Sequence, residues 1–408
     1  MNNNSDILKI AYQDSILEDT FVAPTIPSAR NKAQLKVLLI GGTGVVGPGV
    51  IYNYLIHNHA VTVMIRGDKE TEKNRLIEQL SILPEYHEIK ELCITNLSVI
   101  SGDLAKDNLD LNNNDKQIFL NADVIWHVAA WTNHIRPYTT FDSTKPDIRQ
   151  TNTLCVKRIL QLIMESGRNI PYNFVSTVPA AKLKAHQLTE EFVPEMDIVN
   201  NTGYIMSKKV SEHILLQATN RGFDIGVYRL GYVIGHSKTG ALCLAHRVDH
   251  LMAEIFAVIN TGFYPNWGMV RKNVLSYDIV GKIFYNINQN FNHKNRVYNI
   301  VNPVAAKWDD IIGGLKQNGF SNILPIDNKE FIQLVLDKQL DLAKFVKDLN
   351  YPNINELGET LKHLETESNI AMDNMLNTSS TNPKEIPSSL GIIINNVSYL
   401  FKLSRQIL

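Results

Sequence analysis

At 408 residues, 44% apolar and 20% charged, the chain has room for two or three domains and the composition of a soluble globular fold. A formal net charge of −1 excludes a basic nucleic-acid-binding surface. Cys93, Cys155 and Cys243 are too few and too far apart for a disulfide framework or a C-x-x-C site, which fits a reducing, cytoplasmic setting. In chain order, residues 1–34 read as a lead-in arm. Ile7 to Leu17 is weakly amphipathic, and Pro24 and Pro27 then break any helix. The start, MNNNSDILK, lacks the charged-then-apolar pattern of a leader, and no apolar run approaches the ~20 residues of a spanning helix.

Leu35 to Gly47, LKVLLIGGTGVVG, reads as a buried strand, a glycine turn and the opening of a helix. Gly41, Gly44 and Gly47 stand in G-x-x-G-x-x-G spacing. The first permits the tight turn, the second lets backbone approach a pyrophosphate, and the third lets helix pack on strand. The helix N-terminus offers N–H groups and a partial positive charge to the phosphates. Directly after an apolar strand, the triplet points to a dinucleotide; in isolation it would also serve as a plain turn.

Ala60–Ile65 is the second strand. Arg66 follows at once, where NAD-preferring folds usually carry an acid for the ribose 2′-hydroxyl. A guanidinium there can hold a 2′-phosphate, with Arg75, nine residues on, as a second contact. The competing readings are a surface ion pair at Arg75, or Asp68 accepting the ribose of NAD. Leu97–Ser101 is the third strand. It delivers Asp103, either to an adenine amine or to its own backbone in a turn. Val124–Ala130 and Pro171–Thr177 are the fourth and fifth strands, and Asn152 opens a helix between them. Asp224–Tyr228 and Val297–Val301 follow as the sixth and seventh. This alternation predicts a Rossmann-type, doubly wound parallel α/β sheet with ligands at the C-terminal strand ends. Thr43, Val45 and Val46 in the turn, Leu104, Ala129 and Leu230 at later strand ends are expected to line the cofactor. The predicted Rossmann domain spans 35–240, with a strand return near 271–302. Residues 241–270 and 303–408 are expected to form a smaller, mostly helical substrate lid. Within it, 366–389 reads as a mobile polar loop and Leu390–Leu403 as a packed terminal helix.

Tyr204 and Lys208 stand four apart in the helical stretch GYIMSKKVSEHILLQA, so phenol and ammonium share a face. A nearby cation favours phenolate, which would make Tyr204 a usable general acid near neutral pH. Ser176 or Thr177, about 27 residues earlier at a strand end, can donate to an oxygen that turns negative. His246 and His250 have helix-face metal spacing but lack an evident third ligand, so no metal is expected. His127 reads as a satisfied core histidine. Trp131, Tyr138, Tyr232, Phe263 and Tyr264 serve equally as channel lining or as ordinary packing.

Glycine turn, Ser-Thr strand end and Tyr-x-x-x-Lys together resemble an extended short-chain dehydrogenase/reductase. More narrowly, the chain resembles the thioester reductase domains of nonribosomal peptide synthetases, carboxylic acid reductases and aminoadipate reductases. The similarity runs through MIRGDKETEKNRL, SGDL, VIWHVAAWTNHIRPY, NFVST, TGYIMSKKVSEHILLQATNRGFDIGVYRLGYVIGHSKTGA and YNIVNP. It includes the arm ILEDTFVAPTIP, which is similar to the segment that leads such domains off a carrier protein. The resemblance implies a Thr177/Tyr204/Lys208 triad, NADP 2′-phosphate contacts at Arg66 and Arg75, and a base contact at Asp103. It also implies NADPH-dependent reduction of a thioester on an acyl or peptidyl carrier protein, or on CoA, to an aldehyde, with onward reduction to an alcohol left open. The chain departs from the family at Arg229-Leu230-Gly231, at Asn152 to Val156, and at Leu275 to Asp278. Rival expectations are an epimerase, dehydratase or alcohol dehydrogenase on the same fold, a non-catalytic NADP sensor, and a domain that releases product by cyclisation without hydride. The oligomeric state is not legible.

Overall fold

The structure is a computed structural model. It describes residues 3–28, 30, 32–132, 136–140, 147–184, 187–199, 201–242, 250–268, 270–291, 294–343 and 369–407. The chain divides into two compact units. The first comprises Met1–Gly231, Tyr277–Ile300 and Ile370–Pro383; the second comprises Tyr232–Ser276, Val301–Asn369 and Lys384–Leu408.

In the first unit seven strands form one parallel sheet: β1 (Lys36–Ile40), β2 (Ala60–Ile65), β3 (Leu97–Ser101), β4 (Val124–His127), β5 (Tyr172–Thr177), β6 (Ile225–Leu230) and β7 (Val297–Ile300). Their spatial order is β7-β6-β5-β4-β1-β2-β3, the doubly wound arrangement whose order reverses beside β1. The doubly wound α/β expectation therefore holds. β1, β4, β5 and β6 are buried along nearly their whole length, which explains their continuous apolar runs. Since all seven strands point the same way, Ile40, Ile65, Thr177 and Leu230 end on one edge.

The helices of this unit are α1 (Asn3–Asp14), α2 (Gly47–Ile56), α3 (Lys69–Ser81), α4 (Tyr86–Thr95), α5 (Asn113–Leu120), α6 (Cys155–Glu165) and α7 (Gly203–Asn220). Helix α1 belongs to the lead-in arm and packs on α7. Ile7, Ala11 and Leu17 enter the core, and Asp14 accepts from Tyr138 Oη at 2.7 Å and from Arg149 Nε at 2.6 Å. Beneath the sheet, Trp126 stacks on Phe284 at 4.6 Å and donates to Tyr54 Oη at 2.8 Å.

The second unit contains α8 (His250–Thr261), and the chain returns to the first unit through α9 (Tyr277–Gln289). Further on lie α10 (Trp308–Gln317) and α11 (Asn328–Asp337) in the second unit, α12 (Asp373–Ser379) in the first, and α13 (Ser389–Ile407) in the second. The core of the second unit gathers Leu251, Ile255, Trp267, Trp308 and Phe331, with the two indoles 4.6 Å apart. Short strand pairs join Tyr232–Ile234 to Val274–Ser276 and Phe263–Pro265 to Leu324–Ile326.

One sequence expectation fails here. The described part of 366–389 is not a polar surface loop: it carries α12, and 370–383 belongs with the sheet rather than with the lid. Glu190 causes this. Its Oε2 accepts from the Asn374 backbone N–H at 2.6 Å, and its Oε1 accepts from those of Asn299 at 2.9 Å and Met375 at 3.3 Å. Capture of backbone donors by one carboxylate leaves no hydrophobic pattern to read.

Candidate active site

The glycine turn follows β1. Gly41 has φ +101°, open to glycine but strained for other residues, and a Cβ there would lie 2.4 Å from Ala129 N. A Cβ on Gly47 would meet Gly42 O at 2.1 Å, so the start of α2 presses on the turn. Gly44 differs. A Cβ there would meet nothing nearer than Gly41 O at 3.5 Å, so its backbone faces open room. Val46 at the N-cap of α2 has no side-chain oxygen to accept from the first N–H groups, and Pro48 lies in the first turn. Two closed glycines, one open glycine and an uncapped helix start fit a dinucleotide's pyrophosphate. Of the other residues expected to line the cofactor, Thr43, Val45 and Ala129 are half-buried, and Val46, Leu104 and Leu230 are buried.

Arg66, directly after β2, is exposed. Arg75 on α3 is also exposed and lies 3.5 Å from Glu72 Oε2 in a surface pair. Asp68 caps α3: its Oδ2 accepts from Thr71 N at 2.9 Å and from Thr71 Oγ1 at 2.8 Å. Its carboxylate is thus engaged in holding the helix, which weakens the reading that it takes a ribose. Asp103 Oδ1 accepts from Ala105 N at 2.9 Å, the local turn geometry expected of an Asp two residues upstream.

At the other end of the same edge, Thr177 closes β5 and faces α7. Thr202 caps α7, accepting from Ile205 N at 3.3 Å, and Tyr204 lies in the first turn. The Thr177 hydroxyl is close enough to the Tyr204 phenol to pull its pKa down. Burial pushes that phenol up to about 12, against the pull of Thr177. The expected depression by Lys208 is therefore not seen: desolvation wins, and Tyr204 keeps its proton as a donor. Lys208 is 2% exposed; its Nζ donates to Val175 O at 2.7 Å and lies 4.4 Å from the Phe174 ring centre. Burial lowers its ammonium to about 8.

Ser176 does not join Thr177. Ser176 meets α7 two turns further along: its Oγ donates to Glu212 Oε1 at 2.5 Å in the interior. Its expected place among the reacting groups is corrected accordingly. His127 is fully buried, with Nδ1 2.7 Å from Tyr172 Oη, and burial drives its pKa down to about 3. It is a neutral core histidine as anticipated, but not a fully satisfied one: its Nε2 is buried without a hydrogen-bond partner among the described residues. His250 faces Glu254 Oε1 at 3.7 Å, while His246 lies outside the described residues. Among the described residues no cluster of metal-ligating side chains occurs, and no helix is long and apolar enough to cross a membrane. Tyr138 is committed to Asp14, and Trp131 lies 4.8 Å beneath the Arg136 guanidinium.

Sequence reasoning passed over the buried Glu212, which pairs with Arg229. Its position four residues after Lys208 was the available signal. It also took Asn152 only as a helix start. Asn152 sits in a π-helical stretch, Arg149–Leu154, and bonds Trp131 N at 2.8 Å and Ser207 Oγ at 3.1 Å.

Comparison with known proteins bears on the fold and the family. A linear gramicidin synthase polypeptide of Brevibacillus parabrevis is 26% identical over 337 residues, covering 81% of this chain and 6% of that protein. The chain thus spans a small fraction of that relative's length. Among solved structures, the terminal R domain from the myxalamid PKS-NRPS biosynthetic pathway superposes with a TM-score of 0.79 at 20% identity, covering 99% of both chains. A thiolation-reductase di-domain from an archaeal non-ribosomal peptide synthetase gives a TM-score of 0.70 at 20% identity, covering 99% of this chain and 82% of that one. These two show the fold. A family model described as Male sterility protein, an NAD-binding domain, matches residues 39–284. Spanning more than half of the chain and both ends of the ligand edge, that match makes the chain a member of the NAD-binding Male sterility protein family, whose members use a nicotinamide cofactor for oxidoreduction.

Proposed function

We propose that the chain is an NADPH-dependent reductase that converts a thioester carried on phosphopantetheine to an aldehyde. The observation that carries this reading is the buried Tyr204 beside Thr177, with the buried Lys208 one helical turn along α7, on the strand edge that bears the glycine turn. Arg66 supports NADP over NAD, because an exposed guanidinium after β2 suits a 2′-phosphate while Asp68 is engaged as a cap. The solved thiolation-reductase di-domain and the gramicidin synthase relative support a carrier protein as the partner.

When bound, the nicotinamide supplies a hydride to the thioester carbon. Thr177 Oγ1 and Tyr204 Oη are the donors for the carbonyl oxygen, which becomes negative as that carbon turns tetrahedral. Tyr204 surrenders its proton to that oxygen; its high pKa keeps the proton in place until an alkoxide, a stronger base, is formed. Lys208, one helical turn from Tyr204, would supply the cation that holds the cofactor ribose and balances the charge left on the phenol. The resulting thiohemiacetal loses the pantetheine thiol, leaving the aldehyde. Gly41, Gly44 and Gly47 hold the pyrophosphate, with Thr43, Val45, Val46, Leu104, Ala129 and Leu230 as lining.

The test is purified chain with NADPH and a panel of carrier-bound and CoA thioesters, with products trapped as aldehydes. Thioester-dependent loss of NADPH absorbance with aldehyde formed is the expected result. Turnover of a nucleotide sugar or a carbinol instead, with no thioester turnover, would replace this reading by that of an epimerase or alcohol dehydrogenase.

A further inference from the structure

Three buried polar residues beneath the Thr177–Tyr204 contact take no part in the chemistry above. Arg229, 0% exposed, aims Nε at both Glu212 carboxylate oxygens, 3.0 and 3.2 Å, and Nη2 at Oε2, 2.6 Å. Its remaining donors reach the carbonyls of Thr189 at 2.9 Å and Glu191 at 3.0 Å. Glu212 also accepts from Ser176 Oγ. A buried ion pair is seldom retained for stability, since apolar residues of like volume usually serve as well. Geometry supplies a reason. Ser176 and Arg229 are in register on β5 and β6, one step before Thr177 and Leu230. Glu212 follows Lys208 by four residues and Tyr204 by eight on α7. Helix α7 is therefore stitched to β5 at three successive turns: Tyr204 to Thr177, Lys208 to Val175 O, and Glu212 to Ser176. The third stitch is the one that also reaches β6, and through Thr189 and Glu191 it grips the stretch running from β5 to α7.

We propose that the Glu212–Arg229 pair positions the site: it locks the rotation and height of α7 over β5 and β6, and so holds the Tyr204 phenol on Thr177 and the Lys208 ammonium on the Val175 carbonyl. The inference rests on reading Tyr204 and Lys208 as the reacting pair. Glu212 has a second effect through its charge. The groups that face Lys208 from neighbouring elements are His127 on β4 and Cys155 on α6. Burial drives His127 down to about 3 and Cys155 up to about 12, so both are neutral near pH 7. Glu212 is the carboxylate that supports the ammonium against desolvation.

The experiment is Glu212→Gln in the full chain, read two ways. Nuclear magnetic resonance of labelled lysines in the protein without cofactor, with the Lys208 signal assigned by Lys208→Met, gives the Lys208 titration midpoint. It should fall by about one unit, since the lost carboxylate and the unpaired Arg229 push the same way. Turnover with NADPH and a pantetheine thioester should show kcat down about tenfold or more, KM and NADPH affinity nearly unchanged, and the alkaline limb of the pH profile displaced with Lys208. Glu212→Asp, which keeps the charge on a shorter arm, should restore the midpoint but not kcat. An unmoved midpoint together with wild-type kcat in a folded Glu212→Gln protein overturns the proposal. If that variant does not fold, the double variant Glu212→Leu, Arg229→Met removes both charges, and wild-type kcat in it overturns the proposal equally. Should the unaltered chain reduce no thioester, the functional reading fails, while an unmoved Lys208 midpoint still overturns the claim that Glu212 supports the ammonium, and unmoved Tyr204 ring signals in Glu212→Gln overturn the positioning claim.

Discussion

The two ends of the ligand edge are built in opposite ways. Around β1 and β2 the binding groups are exposed or border open room: a Cβ on Gly44 would meet nothing closer than 3.5 Å, and Arg66 and Arg75 lie at the surface. Around β5 and α7 the reacting groups are buried and already placed, Tyr204 beside Thr177 and Lys208 bonded to Val175 O. An exposed cation gains its partner only when an anion arrives, so its worth is read in affinity and is screened by salt. A buried, pre-bonded donor has been desolvated during folding, so its worth is read in rate.

The sharpest way to break this contrast is Tyr204→Phe. It removes the phenol proton while keeping the ring in its buried site, and turnover is expected to fall on the order of 10²–10⁴-fold. NADPH affinity, measured by fluorescence titration, should stay within about twofold. Equal losses in both would place Tyr204 among the binding groups. Next in size is Thr177→Val, which deletes one donor to the carbonyl oxygen without changing shape. A loss of about 10²-fold in kcat with KM little altered is expected from steady-state kinetics. Because Thr177 also opposes the upward push on the phenol, Tyr204 should become harder still to ionise in this variant.

Why these residues were legible, and others were not, follows from the same contrast. Every central strand announced itself, because a strand covered on both faces must be apolar throughout, as Leu38 to Ile40 and Phe174 are. Tyr204 and Lys208 were legible because helical spacing alone puts them on one face. Ser176 was misread because two adjacent hydroxyls look alike in sequence, and only the strand's orientation decides which one meets α7 at Tyr204 and which meets Glu212. The rise of the Tyr204 pKa was likewise missed. Spacing revealed the cation, but the desolvation that raises the phenol depends on how the folded chain buries it. Helix α12 was hidden for another reason: its hold on the sheet runs through Glu190 and backbone N–H groups, which any sequence possesses.

At the exposed end the expected effects are smaller. Arg66→Ala should weaken NADPH about tenfold, the usual worth of a charged hydrogen bond, while leaving NADH affinity nearly alone. The NADPH penalty should shrink as salt is raised. Isothermal titration at two ionic strengths measures this. An equal loss for NADH and NADPH would show that Arg66 does not reach a 2′-phosphate. Arg75→Ala should behave the same way but more weakly, since Glu72 already competes for its guanidinium.

The smallest effect belongs to Glu190, which helps to hold α12. Burial raises its carboxyl from 4.5 to about 7, with Asp373 adding to the rise and the backbone N–H groups of Asn299, Asn374 and Met375 opposing it. Between those values the folded chain keeps a proton that the unfolded chain has lost. The native state then binds more protons, so stability falls as pH climbs through the interval: the contribution is whole below about 4.5 and gone above about 7. With the group only half-buried, the change should be about 1 kcal/mol. Urea unfolding of the wild type and of Glu190→Gln at several pH values isolates it. The wild-type midpoint should slope downward relative to the variant between pH 4.5 and 7, and the two curves should run parallel above that range. A difference that grew with pH instead would mean that the three N–H donors outweigh burial, and that Glu190 clasps α12 as a carboxylate.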